Sequence, residues 1–142
     1  MIKSLGEIVS ENVFQSLNIL VVDDVTFYYS LLRDHLQLLG HVGKLYKAND
    51  VPDAISELKK YRGTDDEIGL IISDLNMPKH SGLDFIKTIR GSKNYKDIPF
   101  ILFTSESEST EIIEAIQAGA NGYLIKPWEA SELKEKLILA LC

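Results

Sequence analysis

Short apolar runs alternate along the chain with segments in which apolar residues recur every three or four positions. Four of the runs, Ile19-Leu20-Val21-Val22, Leu70-Ile71-Ile72, Phe100-Ile101-Leu102-Phe103 and Gly122-Tyr123-Leu124-Ile125, are continuous. Such continuity marks strands covered on both faces, as in a parallel sheet. Lys44-Leu45-Tyr46-Lys47-Ala48 alternates instead and predicts a strand at the sheet edge. Between the runs, Phe27, Leu31, Leu32, Leu36 and Leu39 follow a helical spacing that stops at Gly40. Pro52 and Asp53 open a helix through Ala54, Ile55 and Leu58. Leu83, Phe85, Ile86 and Ile89 predict a third helix, and Ile112, Ile113 and Ile116 a fourth closed by Gly119. Leu133, Leu137, Leu139 and Leu141 predict a fifth.

Strand and helix alternating in this way predict an α/β sandwich, with five helices on both faces of a five-stranded parallel sheet. The domain spans 17–142. Residues 1–16 form an N-terminal extension in which Leu5, Ile8 or Val9, and Val13 can share one helical face. It reads either as a capping helix or loose tail, or as a docking helix.

Composition narrows the functional classes. The 142 residues are enough for one domain, and 45% hydrophobic with 25% charged residues is a globular balance. One cysteine, Cys142, excludes an internal disulfide. No apolar run is long enough to span a bilayer, and the N-terminus lacks the apolar stretch of a signal peptide, so the expectation is a cytoplasmic protein without membrane insertion. With 15 basic against 21 acidic residues the net charge is −6, and no basic stripe is present to bind nucleic acid.

Ligands of an open α/β sheet bind beyond the carboxyl ends of its strands. The polar residues there are Asp23-Asp24 after the first run, Asp74 after the third, Thr104, Ser105 and Glu106 after the fourth, and Lys126-Pro127 after the fifth. Taken singly, each is equally a turn, a helix cap or an exposed base. Taken together, they put three carboxylates, a hydroxyl and an amine in one pocket. Clustered carboxylates raise one another's pKa unless a cation joins them, and an all-oxygen set suits Mg²⁺ rather than zinc. A carboxylate nucleophile with a metal and a lysine to neutralise phosphoryl oxygens is an arrangement for phosphoryl transfer.

Residues 17–141 resemble the receiver domain of bacterial two-component response regulators, of the CheY-like single-domain kind. The likeness rests on Ile19–Asp24, Ile72-Ser73-Asp74-Leu75-Asn76-Met77-Pro78, Ser81-Gly82-Leu83, Phe103-Thr104-Ser105 and Ala118–Pro127. It implies a flavodoxin-like sheet of order 2-1-3-4-5. It implies that Asp74 accepts a phosphoryl group from a sensor histidine kinase or phosphotransfer protein. Asp24, Asp23 through water, Asp74 and the Asn76 backbone carbonyl would hold Mg²⁺. Lys126, ahead of a cis Pro127, would contact the phosphoryl group. Thr104 would be the switch hydroxyl and Tyr123 the aromatic that follows it, altering a surface of the fourth helix, fifth strand and fifth helix that a downstream protein reads.

The chain would then be a switch rather than an enzyme acting on a separate substrate. Because it ends after the fifth helix, protein contacts rather than an output domain are expected to carry the signal. Asn76 and Glu106, two residues beyond Asp74 and Thr104, are expected to border the path of the hydrolytic water and to leave the phosphoryl group short-lived. The extension is not part of the family pattern. Arg62–Glu67 reads as an exposed acidic loop without a role, and Tyr28-Tyr29 either shape the pocket mouth or face solvent. Met77 reads as packing. His35, His41 and His80 are expected at the surface or in caps.

Two alternatives use the same residues. An aspartate-nucleophile phosphatase of the haloacid-dehalogenase kind would want an acid where Asn76 stands, and a cap domain for which the chain is too short. A flavin or nucleotide binder would want a phosphate loop where Asp23-Asp24-Val25 stands.

Overall fold

Strands β1 (Asn18–Val22), β2 (Leu45–Ala48), β3 (Ile68–Asp74), β4 (Phe100–Thr104) and β5 (Gly122–Ile125) form one parallel sheet in the order β2-β1-β3-β4-β5. They alternate with α1 (Thr26–Leu38), α2 (Val51–Tyr61), α3 (Gly82–Arg90), α4 (Thr110–Gln117) and α5 (Ala130–Leu141). The structure is a computed structural model that describes residues 14–77, 79–105 and 110–141. Leu5, Ile8, Val9, Val13, Pro78, Glu106 and Cys142 therefore lie outside the described residues. The expected topology and the edge position of β2 are both observed.

Alternate residues of each strand feed two separate cores. Leu20, Val22 and Ile71 pack with Leu58 of α2, Phe85 and Ile89 of α3, and Ile112 of α4. Ile19, Val21, Ile72 and Phe103 pack with Leu32 and Leu36 of α1 and with Leu133 and Leu137 of α5. Burial on both faces is why these strands read as unbroken apolar runs. Local chemistry sets the helix starts. Asp50 and Ser81 accept the backbone N–H of Asp53 and Asp84 at 2.9 and 3.1 Å, and Pro52 sits in the first turn of α2.

Four apolar residues assigned to helix faces by spacing do not reach the core. Phe27, Ile113, Ile116 and Leu139 are 63%, 58%, 40% and 60% exposed. Ala115 and Ala140 hold core positions on α4 and α5 instead, because a small side chain lets a helix lie close to the sheet.

The sheet's amino-terminal end is more structured than the sequence suggests. Residues 14–16, the described part of the extension, are helical. Phe14 is buried against the His41 ring at 5.7 Å, and His41 Nε2 lies 2.6 Å from the Leu17 carbonyl. His41 is thus a packed residue rather than a surface one. The acidic loop also has a role. The Asn18 amide donates to the carbonyls of Asp65 and Glu67, and Lys44 pairs with Asp66 at 2.7 Å, which ties the starts of β1, β2 and β3 together.

Candidate functional site

Parallel register brings the strand ends to one edge. Val22 is level with Ser73, Asp74 with Phe103, and Thr104 with Ile125, so the residues that follow converge. α3 starts close beside them because residue 82 is glycine. A Cβ there would come within 2.5 Å of the Asp74 carbonyl and 2.8 Å of Leu75 Cα.

The carboxylates of Asp23, Asp24 and Asp74 each offer an oxygen within 4.8 Å of the others. Asp23 is fully buried and Asp74 only 6% exposed, while Asp24 faces solvent. Lys126 Nζ donates to Asp23 Oδ2 at 2.9 Å and lies 3.3 Å from Asp74 Oδ2. The other Asp23 oxygen accepts the Val25 N–H at 2.9 Å, and Asp74 Oδ1 accepts the Asn76 N–H at 3.2 Å. One ammonium therefore stands in a cluster of three carboxylates and touches two of them. Burial, its largest influence, raises the Asp74 pKa, and Asp23 adds to the rise against the pull of Lys126. An excess of carboxylate oxygens with an exposed member at the mouth fits a hard divalent cation.

Thr104 is buried at the end of β4, and its carbonyl accepts the Lys126 N–H at 2.7 Å. The Lys126–Pro127 peptide bond is cis, as the resemblance implies. Tyr123 is half-buried on β5 beside Leu102, the residue two before Thr104 on the same face, with Lys136 Nζ 5.4 Å from its ring. Asn76 and Met77 border a cleft of about 660 Å³ between the turn after β3 and α4. Met77 packs against the core, as read from sequence.

Tyr28, read from the sequence as shaping the pocket mouth or facing solvent, takes the first of these places, and Phe103 joins it at the ammonium. Lys126 Nζ lies 4.1 Å from the Tyr28 ring centroid and 4.8 Å from that of Phe103. Trp128 is buried behind them, 6.3 Å from Tyr28 and 5.6 Å from Phe103. His35 completes the group edge-on to Trp128 at 6.1 Å; of the surface and cap places expected of it, the structure gives it the last turn of α1, half-buried. Tyr28 follows the acidic pair by four residues, which places it in the first turn of α1 over the strand ends. That spacing was the available signal.

The chain matches the response regulator receiver domain over residues 19–138. It belongs to that family. Chemotaxis protein CheY-3 of Vibrio cholerae is 37% identical over 123 residues, which cover 87% of this chain and 90% of that protein. The CheY homologue of Campylobacter jejuni is 36% identical over 121 residues, covering 85% and 89%. Among solved structures, the chemotaxis response regulator CheY4 of Vibrio cholerae superposes with a TM-score of 0.76 at 30% identity, covering 89% of this chain and 99% of the other. The receiver-domain match lends no support to the phosphatase alternative. Among the described residues, no helix is long and apolar enough to cross a membrane.

Proposed function

We propose that this receiver domain is a phosphorylation switch of a two-component system, with Asp74 as its phosphoacceptor. The observation that carries the reading is a single arrangement. A buried carboxylate at the end of β3 has an ammonium at 3.3 Å and two further carboxylates within 4.8 Å, one of which, Asp23, shares that ammonium.

In the proposed reaction an Asp74 oxygen attacks the phosphorus of a phosphohistidine on a sensor kinase or phosphotransfer protein. An oxygen–phosphorus bond forms, the nitrogen–phosphorus bond breaks, and the released imidazole takes up a proton. Asp23, Asp24, Asp74 and the Asn76 carbonyl would hold Mg²⁺. When bound, the ion neutralises charge on the attacking carboxylate and the phosphoryl oxygens. Lys126 would add a second positive charge to the same oxygens. Hydrolysis reverses the modification: water attacks phosphorus, the Asp74–phosphorus bond breaks, and phosphate leaves. Catalysis is confined to this self-modification.

The output proposed is a change in the surface of α4, β5 and α5, as Thr104 turns toward the phosphoryl group and Tyr123 occupies the space released. The chemotaxis names of the relatives support a motility signal received by a downstream protein in the cytoplasm.

Intact mass measurement after incubation with acetyl phosphate tests the chemistry. The expected outcome is one added phosphoryl group on the wild-type protein with Mg²⁺, and none with chelator or on Asp74→Asn. Asp24→Ala should require far more Mg²⁺. Undiminished labelling of Asp74→Asn would move the nucleophile elsewhere.

A further inference from the structure

Lys126 reaches the pocket on a flexible four-carbon stem, yet its side chain is only 6% exposed. Asp23 and Asp74 account for two sides of the ammonium. The Tyr28 and Phe103 rings lie at 4.1 and 4.8 Å, well inside the roughly 6 Å reach of a cation–π contact. Phe103 is a core residue of β4 and is fixed by the sheet. Tyr28 is different: it comes from the first turn of α1 and is only half-buried. Phe27 meets it edge-on at 5.2 Å and Trp128 at 6.3 Å, which sets the ring's place.

We propose that Tyr28 is a positioning residue for Lys126, holding the ammonium at the pocket by a cation–π contact through the phosphorylation cycle. The role rests on the phosphoacceptor reading above. On phosphorylation the Asp74 carboxylate becomes an acyl phosphate, and its negative charge moves outward onto the phosphoryl oxygens. Lys126 has to follow that charge. A carboxylate at position 28 would attract the ammonium but compete with the phosphoryl group for its N–H donors. An aliphatic side chain would not attract it at all. A ring face attracts the cation, excludes water and accepts no strong hydrogen bond, so the donors stay directed at oxygen. The attraction extends over the whole face, which lets the ammonium shift without losing it.

The test compares wild type, Tyr28→Phe, Tyr28→Leu and a series with increasingly fluorinated phenylalanine at position 28. Rates of labelling by acetyl phosphate are measured over a range of donor and Mg²⁺ concentrations. Tyr28→Phe should keep the wild-type rate. Tyr28→Leu should lower the maximal rate by between about twofold and tenfold, with the Mg²⁺ requirement unchanged. Rates in the fluorinated series should fall stepwise at nearly constant shape, since fluorine withdraws charge from the ring face. In the unphosphorylated protein, the Lys126 Hε protons should be shifted upfield by the ring, and Tyr28→Leu should reduce that shift. A wild-type rate in Tyr28→Leu overturns the proposal. So does a flat fluorinated series beside a slow leucine variant, which would mean simple space filling. Loss in Tyr28→Phe would assign the effect to the hydroxyl and also overturn it. No labelling of wild type would overturn the phosphoacceptor reading and the Tyr28 role with it.

Discussion

Burial at the end of β3 governs how Asp74 titrates. Its carboxyl lies above the ordinary value of 3.8, first because burial disfavours the anion and then because Asp23 repels it, with Lys126 opposing both. The folded protein therefore holds the Asp74 proton to higher pH than the unfolded chain does. Across that window stability falls as pH rises. Asp74→Asn removes the charge and keeps the shape. In metal-free buffer at neutral pH, its thermal midpoint should exceed that of wild type by a few degrees. The difference should shrink as pH falls toward 3.8 and below. Scanning calorimetry with chelator at several pH values checks this, and equal midpoints at neutral pH would contradict it.

Loops at the opposite end of the strands align the elements that carry the site. Arg90, the last residue of α3, donates from Nε and Nη2 to the Gly119 carbonyl at 3.0 and 2.9 Å, and from Nη1 to the Ile98 carbonyl at 2.7 Å. Asn121 Oδ1 accepts both Arg90 Nη2 at 3.1 Å and the Phe100 N–H at 2.8 Å. Gly119 has φ +118, and a Cβ there would meet Arg90 Nε at 2.8 Å, so this junction admits only glycine without strain. It sets how α3 and the starts of β4 and β5 meet, upstream of Thr104 and Lys126. Asn121→Ala strands the Phe100 N–H and should cost about 1–3 kcal/mol in urea unfolding. Asn121→Asp keeps an acceptor and should cost less. No loss in the alanine variant would show that another group takes over.

Across the molecule, the two cores divide the work. The α1 and α5 side holds Phe103 and Trp128 behind Lys126, whereas the α2, α3 and α4 side contains Tyr123, Ile112 and Ala115. Ile113 and Ile116 remain exposed on α4, an apolar part of the proposed output face. A charge added at Asp74 should therefore register on α4 and β5 through the β4–β5 pairing that joins Thr104 to Ile125 and Leu102 to Tyr123. Amide NMR with beryllofluoride and Mg²⁺ should show shifts reaching residues 110–128 as well as the pocket. Partial shifts along the same direction before addition would mark a minor active population. Shifts confined to Asp23, Asp24, Asp74 and their neighbours would refute coupling.

The edge place of β2, the two-sided burial of the other strands and the carboxyl-edge cluster were legible in the sequence because each follows from local pattern, whereas the full strand order came from the resemblance to receiver domains. A strand buried on both faces must be apolar throughout, and a parallel sheet must gather its strand ends at one edge. Helix faces were less legible. Spacing placed Ile112, Ile113 and Ile116 together, and only packing against the sheet decided that Ile112 and Ala115 turn inward while the other two face water. The sequence placed Lys126 in the pocket with the carboxylates, but which of them it touches and which rings cover it were beyond reach for the same reason. Asp23 lies 103 positions away from it, and Tyr28 follows Asp23 by five. No periodicity links the residues after β1 to those after β5, so the meeting of Lys126 with Asp23 and Tyr28 depends on the crossover of α1 onto the same face of the sheet as α5. The chain's local pattern determined which groups reach the edge. Tertiary packing decided that Lys126 sits between two carboxylates and two rings, because only close approach of distant elements in a dry pocket brings those faces into contact.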